Sequence, residues 1–154
     1  MSTYSYDPRS KQAAGSSGEP VRIHSDGAPS PLGAYAHAVR AGGFVFCAGQ
    51  GARDPETGRE TGVVLDAAGN VERYDIALQT RAALRNLRGV LEAAGTSWER
   101  LVEVNVFLKD MSDFAAMNDV YATEFPNGGP ARTTIGVADL PGDNFVEIRA
   151  VALA

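Results

Sequence analysis

The chain has 154 residues, 44% hydrophobic and 21% charged, a balance suited to a soluble protein with one core. A formal net charge of −5, with arginines scattered at Arg40, Arg53, Arg73, Arg81 and Arg100, offers no basic groove and argues against nucleic acid as a partner. No apolar run reaches membrane length, and the single cysteine, Cys47, excludes an internal disulfide, so a cytoplasmic location and no membrane contact are expected.

Residues 1–20 lack an apolar signal core and are rich in Ser, Gly and Pro, which predicts a flexible N-terminal arm ahead of a single domain over 21–154. A strand is expected at 21–24, then a loop imposed by Asp26-Gly27, Pro29 and Pro31. Residues 35–39 and 43–48 read as a hairpin, with Cys47 inside an apolar run where a buried hydrophobe is favoured over a reactive thiol. A long loop over 49–58 and a turn at 67–70 lead to a helix over 75–94. Its stripe of Ile76, Thr80, Ala83, Leu84, Leu87, Val90, Leu91 and Ala94 has helical period, and Gly95 is a left-handed stop. A strand at 101–109 follows. A second helix starts near Ser112-Asp113 and presents Phe114, Met117, Tyr121 and Phe125 on one side. Strands at 131–138 and 144–153 close the chain. The class is α+β, in the order ββαβαββ: a single layer of mixed sheet with two long helices on one face.

Strand alternation sorts the sheet residues into two sets. Val102, Val104, Val106 and Leu108, with Thr133, Ile135, Val137, Val146, Ile148 and Ala150, are expected beneath the helices. The other face then carries Glu103, Asn105, Phe107, Arg132, Thr134, Phe145, Glu147, Arg149 and Val151. That mixture of aromatic and ionisable groups suits a face partly covered by another subunit; a plain solvated face is the competing reading.

Several chemistries are excluded by what is missing. A zinc nucleobase deaminase needs His-x-Glu and Pro-Cys-x-x-Cys, but Ala38 and Val39 follow His37 and there is one cysteine. His24, His37 and Cys47 do not make an ordinary metal site, so no metal is expected; His24 reads as an exposed strand-end histidine. Gly49-Gln50-Gly51 runs into Asp54-Pro55 instead of a helix, and no Gly-Lys-Ser/Thr or Gly-x-Ser-x-Gly occurs. What remains is Arg, carboxylates, Tyr, Thr and backbone groups, which can bind an acid and activate a water without a cofactor.

From Leu32 onward the sequence carries an ordered set of motifs. These are Pro31-Leu32-Gly33-Ala34-Tyr35, Gly43 to Gln50, Asp54-Pro55-Glu56-Thr57-Gly58, Gln79 to Gly95, Val104 to Asp110, Asp113-Phe114 with Asn118 and Tyr121, and Pro130-Ala131-Arg132-Thr133-Thr134. Val146-Glu147-Ile148-Arg149-Ala150 completes it, with Glu147 fifteen residues beyond Arg132. The set resembles the Rid family of reactive intermediate deaminases, also described as L-PSP endoribonucleases. The resemblance implies a chorismate-mutase-like fold, a homotrimer, and sites in the clefts between subunits.

By the same resemblance Arg132 would clamp a substrate carboxylate and Glu147 would hold a water for attack on an imine carbon. Tyr35, Gly49, Asn118 and Thr134 match positions that line the family pocket. The bare residues leave other readings open: an Arg132–Glu147 ion pair across neighbouring strands, packing for Tyr35, and a helix-surface role for Asn118. The chain has Ala48 where many deaminating members have Ser, and Thr133-Thr134 where they have Ser-Cys. Tyr35-Ala36-His37-Ala38 and the segment 62–76 are similar to the 2-aminomuconate deaminase branch. On one strand, Tyr35 and His37 would face the same way, although a simple strand histidine is favoured. The expected function is hydrolytic release of ammonia from 2-imino or 2-enamino acids, 2-aminomuconate among them. The alternative is a non-catalytic small-carboxylate binder or regulator; a ribonuclease fits poorly with the charge of −5.

Overall fold

The computed structural model describes residues 18–154, so the arm expected over 1–20 lies almost wholly outside the described residues. The elements are β1 (Val21–Ile23), β2 (Ala38–Ala41), β3 (Phe44–Cys47), β4 (Val63–Leu65), β5 (Val71–Tyr74), α1 (Ile76–Ala93), β6 (Leu101–Leu108), α2 (Phe114–Glu124), β7 (Ala131–Gly136) and β8 (Val146–Leu153). Six strands form one sheet in the order β1-β2-β3-β8-β6-β7, in which only β6 and β7 run parallel. A parallel pair needs a crossover, and α2 supplies it. The α+β order ββαβαββ is therefore present, extended by β1 at one edge and a separate β4–β5 hairpin.

Helix α1 forms where the stripe predicted it. Asp75 caps its start by accepting the Leu78 N–H at 3.0 Å, and Gly95 turns left-handed beyond its end at φ 72°. Leu84, Leu87, Val90 and Leu91 bury against Val104, Val106, Leu108, Val146, Ile148 and Ala150 of the central strands. Burying side chains of this size contributes about 1.5–3 kcal/mol each before conformational entropy is set against it. An amide inside the helix, that of Gln79, does a different job. Gln79 donates to the Asp143 carbonyl at 2.9 Å and accepts the Phe145 N–H at 2.7 Å, which fixes the entry to β8.

Three local expectations are corrected. First, β2 begins at Ala38, so Tyr35 and His37 precede the strand and do not share a strand face: His37 is 4% exposed and Tyr35 50%. The Pro29 and Pro31 loop carries on to them and interrupts pairing. Second, 62–74 is a hairpin and not only a turn. Asp66 accepts the Ala68 and Asn70 N–H groups at 2.9 Å, closing the turn; Tyr74 then stacks on Phe145 at 3.6 Å and donates to Asp113. Val63, Val64 and Leu65 are consecutive apolar residues, so β4 shows no alternation to announce it. Third, Val102 is exposed, because the β6–β8 register shifts between Leu101 and Glu103.

Candidate active site

Glu147 lies on β8 between Val146 and Ile148, both fully buried beneath α1, so its side chain points to the opposite, open face. There it meets the loop leaving β3. A Cβ placed on Gly49 would sit 2.1 Å from the Glu147 carboxylate, so any larger residue here would displace that carboxylate. Burial pushes the Glu147 carboxyl above its ordinary range. A cleft of about 60 Å³ opens beside it, with Pro31, Tyr35, Gly49, Arg53 and Pro141 among its walls. That volume suits water and not a whole substrate.

The walls are held from behind. Gln50 exchanges backbone hydrogen bonds with Ile148 at 2.8 and 2.9 Å. Asn144 Oδ1 accepts the Ala52 N–H at 2.7 Å, and the Asn86 side chain donates to the Gly51 and Arg53 carbonyls at 2.9 and 2.8 Å. These buried amides are a part of the site that the sequence reading missed. Asn86 stands three residues after Ala83 and one before Leu87, and a polar residue within an apolar helical stripe was the available signal. On the other wall, His37 Nδ1 accepts the Ser25 N–H at 2.9 Å, which leaves Nε2 to donate to the Pro29 carbonyl at 2.9 Å. Both ring nitrogens of His37 are thereby engaged in holding the 25–35 loop. The Tyr35 hydroxyl accepts the Leu32 N–H at 3.1 Å and lies at the cleft mouth.

Arg132, Asn118 and Thr134 form a second cluster elsewhere. Arg132 donates to Asn118 Oδ1 on α2 at 2.8 Å, and its guanidinium carbon lies 4.5 Å from the Tyr121 ring centre and 5.8 Å from that of Phe114. Among the described residues the buried hydroxyls of Thr134 and Tyr121 have no hydrogen-bond partner. The register explains the location: Arg132 is opposite Val104 and Thr134 opposite Val106, so both point to the helix side of the sheet. Glu147 is opposite Phe107 and points the other way.

This overturns the expectation that Arg132, Thr134 and Glu147 share one face, with Thr133 and Ile135 under the helices; Ile135 is 46% exposed. Alternation separates two sets of residues without saying which set faces the core, and in an edge strand with one large apolar residue the choice fell wrongly. The alternative ion pair is also excluded. Strand β6 separates β7 from β8, and the two side chains leave opposite faces.

The six candidate residues thus fall into two halves, Tyr35, Gly49 and Glu147 on the open side and Asn118, Arg132 and Thr134 at the β7–α2 edge. Among the described residues no group of three His, Cys, Asp or Glu is placed to hold a metal ion, and no helix is long and apolar enough to cross a membrane.

Comparison with known proteins matches residues 25–154 to the family model described as Endoribonuclease L-PSP. A RutC family protein of Pyrococcus horikoshii is 44% identical over 130 residues, covering 84% of this chain and 94% of that protein. One from Synechocystis is 45% identical over 132 residues, covering 85% and 94%. Among solved structures, Escherichia coli TdcF with bound serine superposes with a TM-score of 0.75 at 32% identity, covering 87% of this chain and 98% of that one.

Proposed function

The chain belongs to the Endoribonuclease L-PSP family, which also carries the names RutC and Rid, with its chorismate-mutase-like fold; from that premise we propose that it is a cofactor-independent deaminase of 2-imino and 2-enamino acids. Family membership supports a deaminase or small-molecule-binding role, and the finer reading rests on the two half-sites. The single observation that carries it is the half-buried carboxylate of Glu147 against Gly49 in a water-sized cleft. A second copy of the chain brings its Arg132 edge to that cleft, so that each site draws on two subunits of a homotrimer. The opposite-face placement supports this, because Arg132 and Glu147 of one chain point away from each other.

In the assembled site the Arg132 guanidinium takes the substrate carboxylate by two parallel hydrogen bonds, with one of its remaining N–H groups fixed by Asn118. TdcF with bound serine is a relative holding an amino acid, which supports a small carboxylate ligand here. Glu147 accepts a proton from its water as the water oxygen adds to the imine carbon, and the C=N pair moves to nitrogen. Glu147 returns that proton to nitrogen, giving the carbinolamine; the hydroxyl proton then passes by way of Glu147 to the same nitrogen as the C–N bond breaks, so that the hydroxyl becomes the carbonyl and the nitrogen leaves as ammonia. One imine and one water give one 2-oxo acid and one ammonia. Tyr35 contributes a hydroxyl at the cleft mouth, and Thr134 backs Arg132 from two residues along β7. An enamine such as 2-aminomuconate first moves a proton to carbon to become the imine.

The test is ammonia release from freshly generated 2-imino acids and from 2-aminomuconate, with Glu147→Gln as control. Release by the wild type and its loss in the variant support the reading. Ligand binding without release by the wild type assigns the cleft to a non-catalytic binder instead.

A further inference from the structure

Of the residues around the Glu147 cleft, Arg53 and Glu147 carry the formal charges. The proposed reaction accounts for Glu147 and leaves Arg53 without a role. Its backbone is fixed: Asn86 holds its carbonyl, Ala52 beside it is fully buried, and Arg53 pairs with Glu60 in an isolated bridge. From that base the side chain reaches the far wall, where it donates to the Ser30 carbonyl. A guanidinium has five N–H donors, so one carbonyl leaves most of them available. Among the described residues no carboxylate forms an ion pair with it.

We infer that Arg53 is a specificity-determining residue whose guanidinium donors beyond the one on Ser30 take a second acidic group on the substrate, so that the cleft favours dicarboxylic imino and enamino acids over those with apolar side chains. The inference rests on the deaminase reading of the same cleft and deepens it. With the first carboxylate on Arg132 of another copy and the reacting carbon at the Glu147 water, any part of the substrate entering this cleft meets Pro31, Tyr35 and Arg53. The other polar candidate on this wall, His37, has both ring nitrogens engaged by Ser25 and Pro29. Arg149 alternates with Glu147 on the open face but is exposed and does not line the cleft. An anion at Arg53 would gain a charge-assisted, geometrically directed contact that an apolar side chain could not use.

The experiment compares wild type, Arg53→Met and Arg53→Lys on freshly generated 2-iminoglutarate and 2-iminobutyrate, read as the ratio of the two kcat/KM values. Loss of a hydrogen bond to a charged group predicts that the preference for 2-iminoglutarate falls by about tenfold or more in Arg53→Met and by less in Arg53→Lys. A fall that strikes both substrates equally makes Arg53 a clamp for the Ser30 loop and overturns the inference, as does an unchanged wild-type ratio near one. Calorimetric binding of 2-oxoglutarate and 2-oxobutyrate separates the inference from the reading beneath it. If the wild type releases no ammonia from either imine, the deaminase reading fails; a 2-oxoglutarate preference abolished by Arg53→Met still upholds the anion site, and equal binding of the two acids overturns it.

Discussion

Arg132 makes a contact to Asn118 and lies over the Tyr121 ring, and both constrain the plane of its guanidinium. A lysine keeps the charge but not the fork. Arg132→Lys should therefore lose about 1.5–3 kcal/mol of transition-state binding, roughly tenfold to more than a hundredfold in kcat/KM, in a protein that still folds. Near-normal kinetics would assign Arg132 to structure. Glu147 makes a prediction with a pH sign. The base must be ionised, and burial raises its titration above the ordinary value of 4.5, so kcat/KM should fall on acidification at a pH above that value. For stability the sign reverses. A carboxyl whose folded pKa is raised contributes stability in its protonated form below the unfolded value, and loses it as pH rises through the folded one. Glu147→Gln should thus release no ammonia yet melt no lower than wild type at neutral pH; a marked fall in Tm would contradict this. Both residues were legible because a guanidinium and a carboxylate stand in ordered motifs. Alternation in β8 also placed Glu147 on the open face, but the face of Arg132 was not legible, because side-chain parity in β7 is set by pairing with β6 and not by its own composition.

At the scale of elements, the helices were readable and the connections less so. The α1 stripe, its Asp75 cap and Gly95 all act as their chemistry requires. The 62–74 hairpin escaped because its stability comes from the Asp66 turn and from Tyr74 stacking on Phe145, neither of which has a period. The site depends on these connections. Gly49→Ala would put a methyl carbon where the Glu147 carboxylate lies, so it should remove most ammonia release while circular dichroism keeps the wild-type spectrum. Full activity in that variant would show that the carboxylate need not lie against Gly49. Asn86→Ala removes the donors to the Gly51 and Arg53 carbonyls and leaves buried acceptors unpaired, at a cost of about 1–3 kcal/mol in denaturant unfolding. No measurable destabilisation would mean that water or a shifted loop replaces those bonds.

At the scale of the whole molecule, the open side of the sheet is unusual for a solvated face. Phe44, Phe46, Ile135 and Leu153 are exposed large hydrophobics there, around the half-buried Phe107 and Val151. A patch of this kind favours a covering partner, and a second copy that brings its β7–α2 edge would complete the site at the same time. The family motifs implied a homotrimer, and the register adds an argument for more than one copy, since one chain does not bring its own Arg132 and Glu147 together. The direct measurement is complementation. Arg132→Ala and Glu147→Gln are each made, found inactive alone, and then denatured, mixed in equal amounts and refolded together. If each site takes Arg132 from one subunit and Glu147 from another, random mixing leaves about a quarter of sites with both wild-type residues, and ammonia release should return to about that fraction of wild type. Mixed oligomers with no activity above the sum of the parents would contradict the shared site.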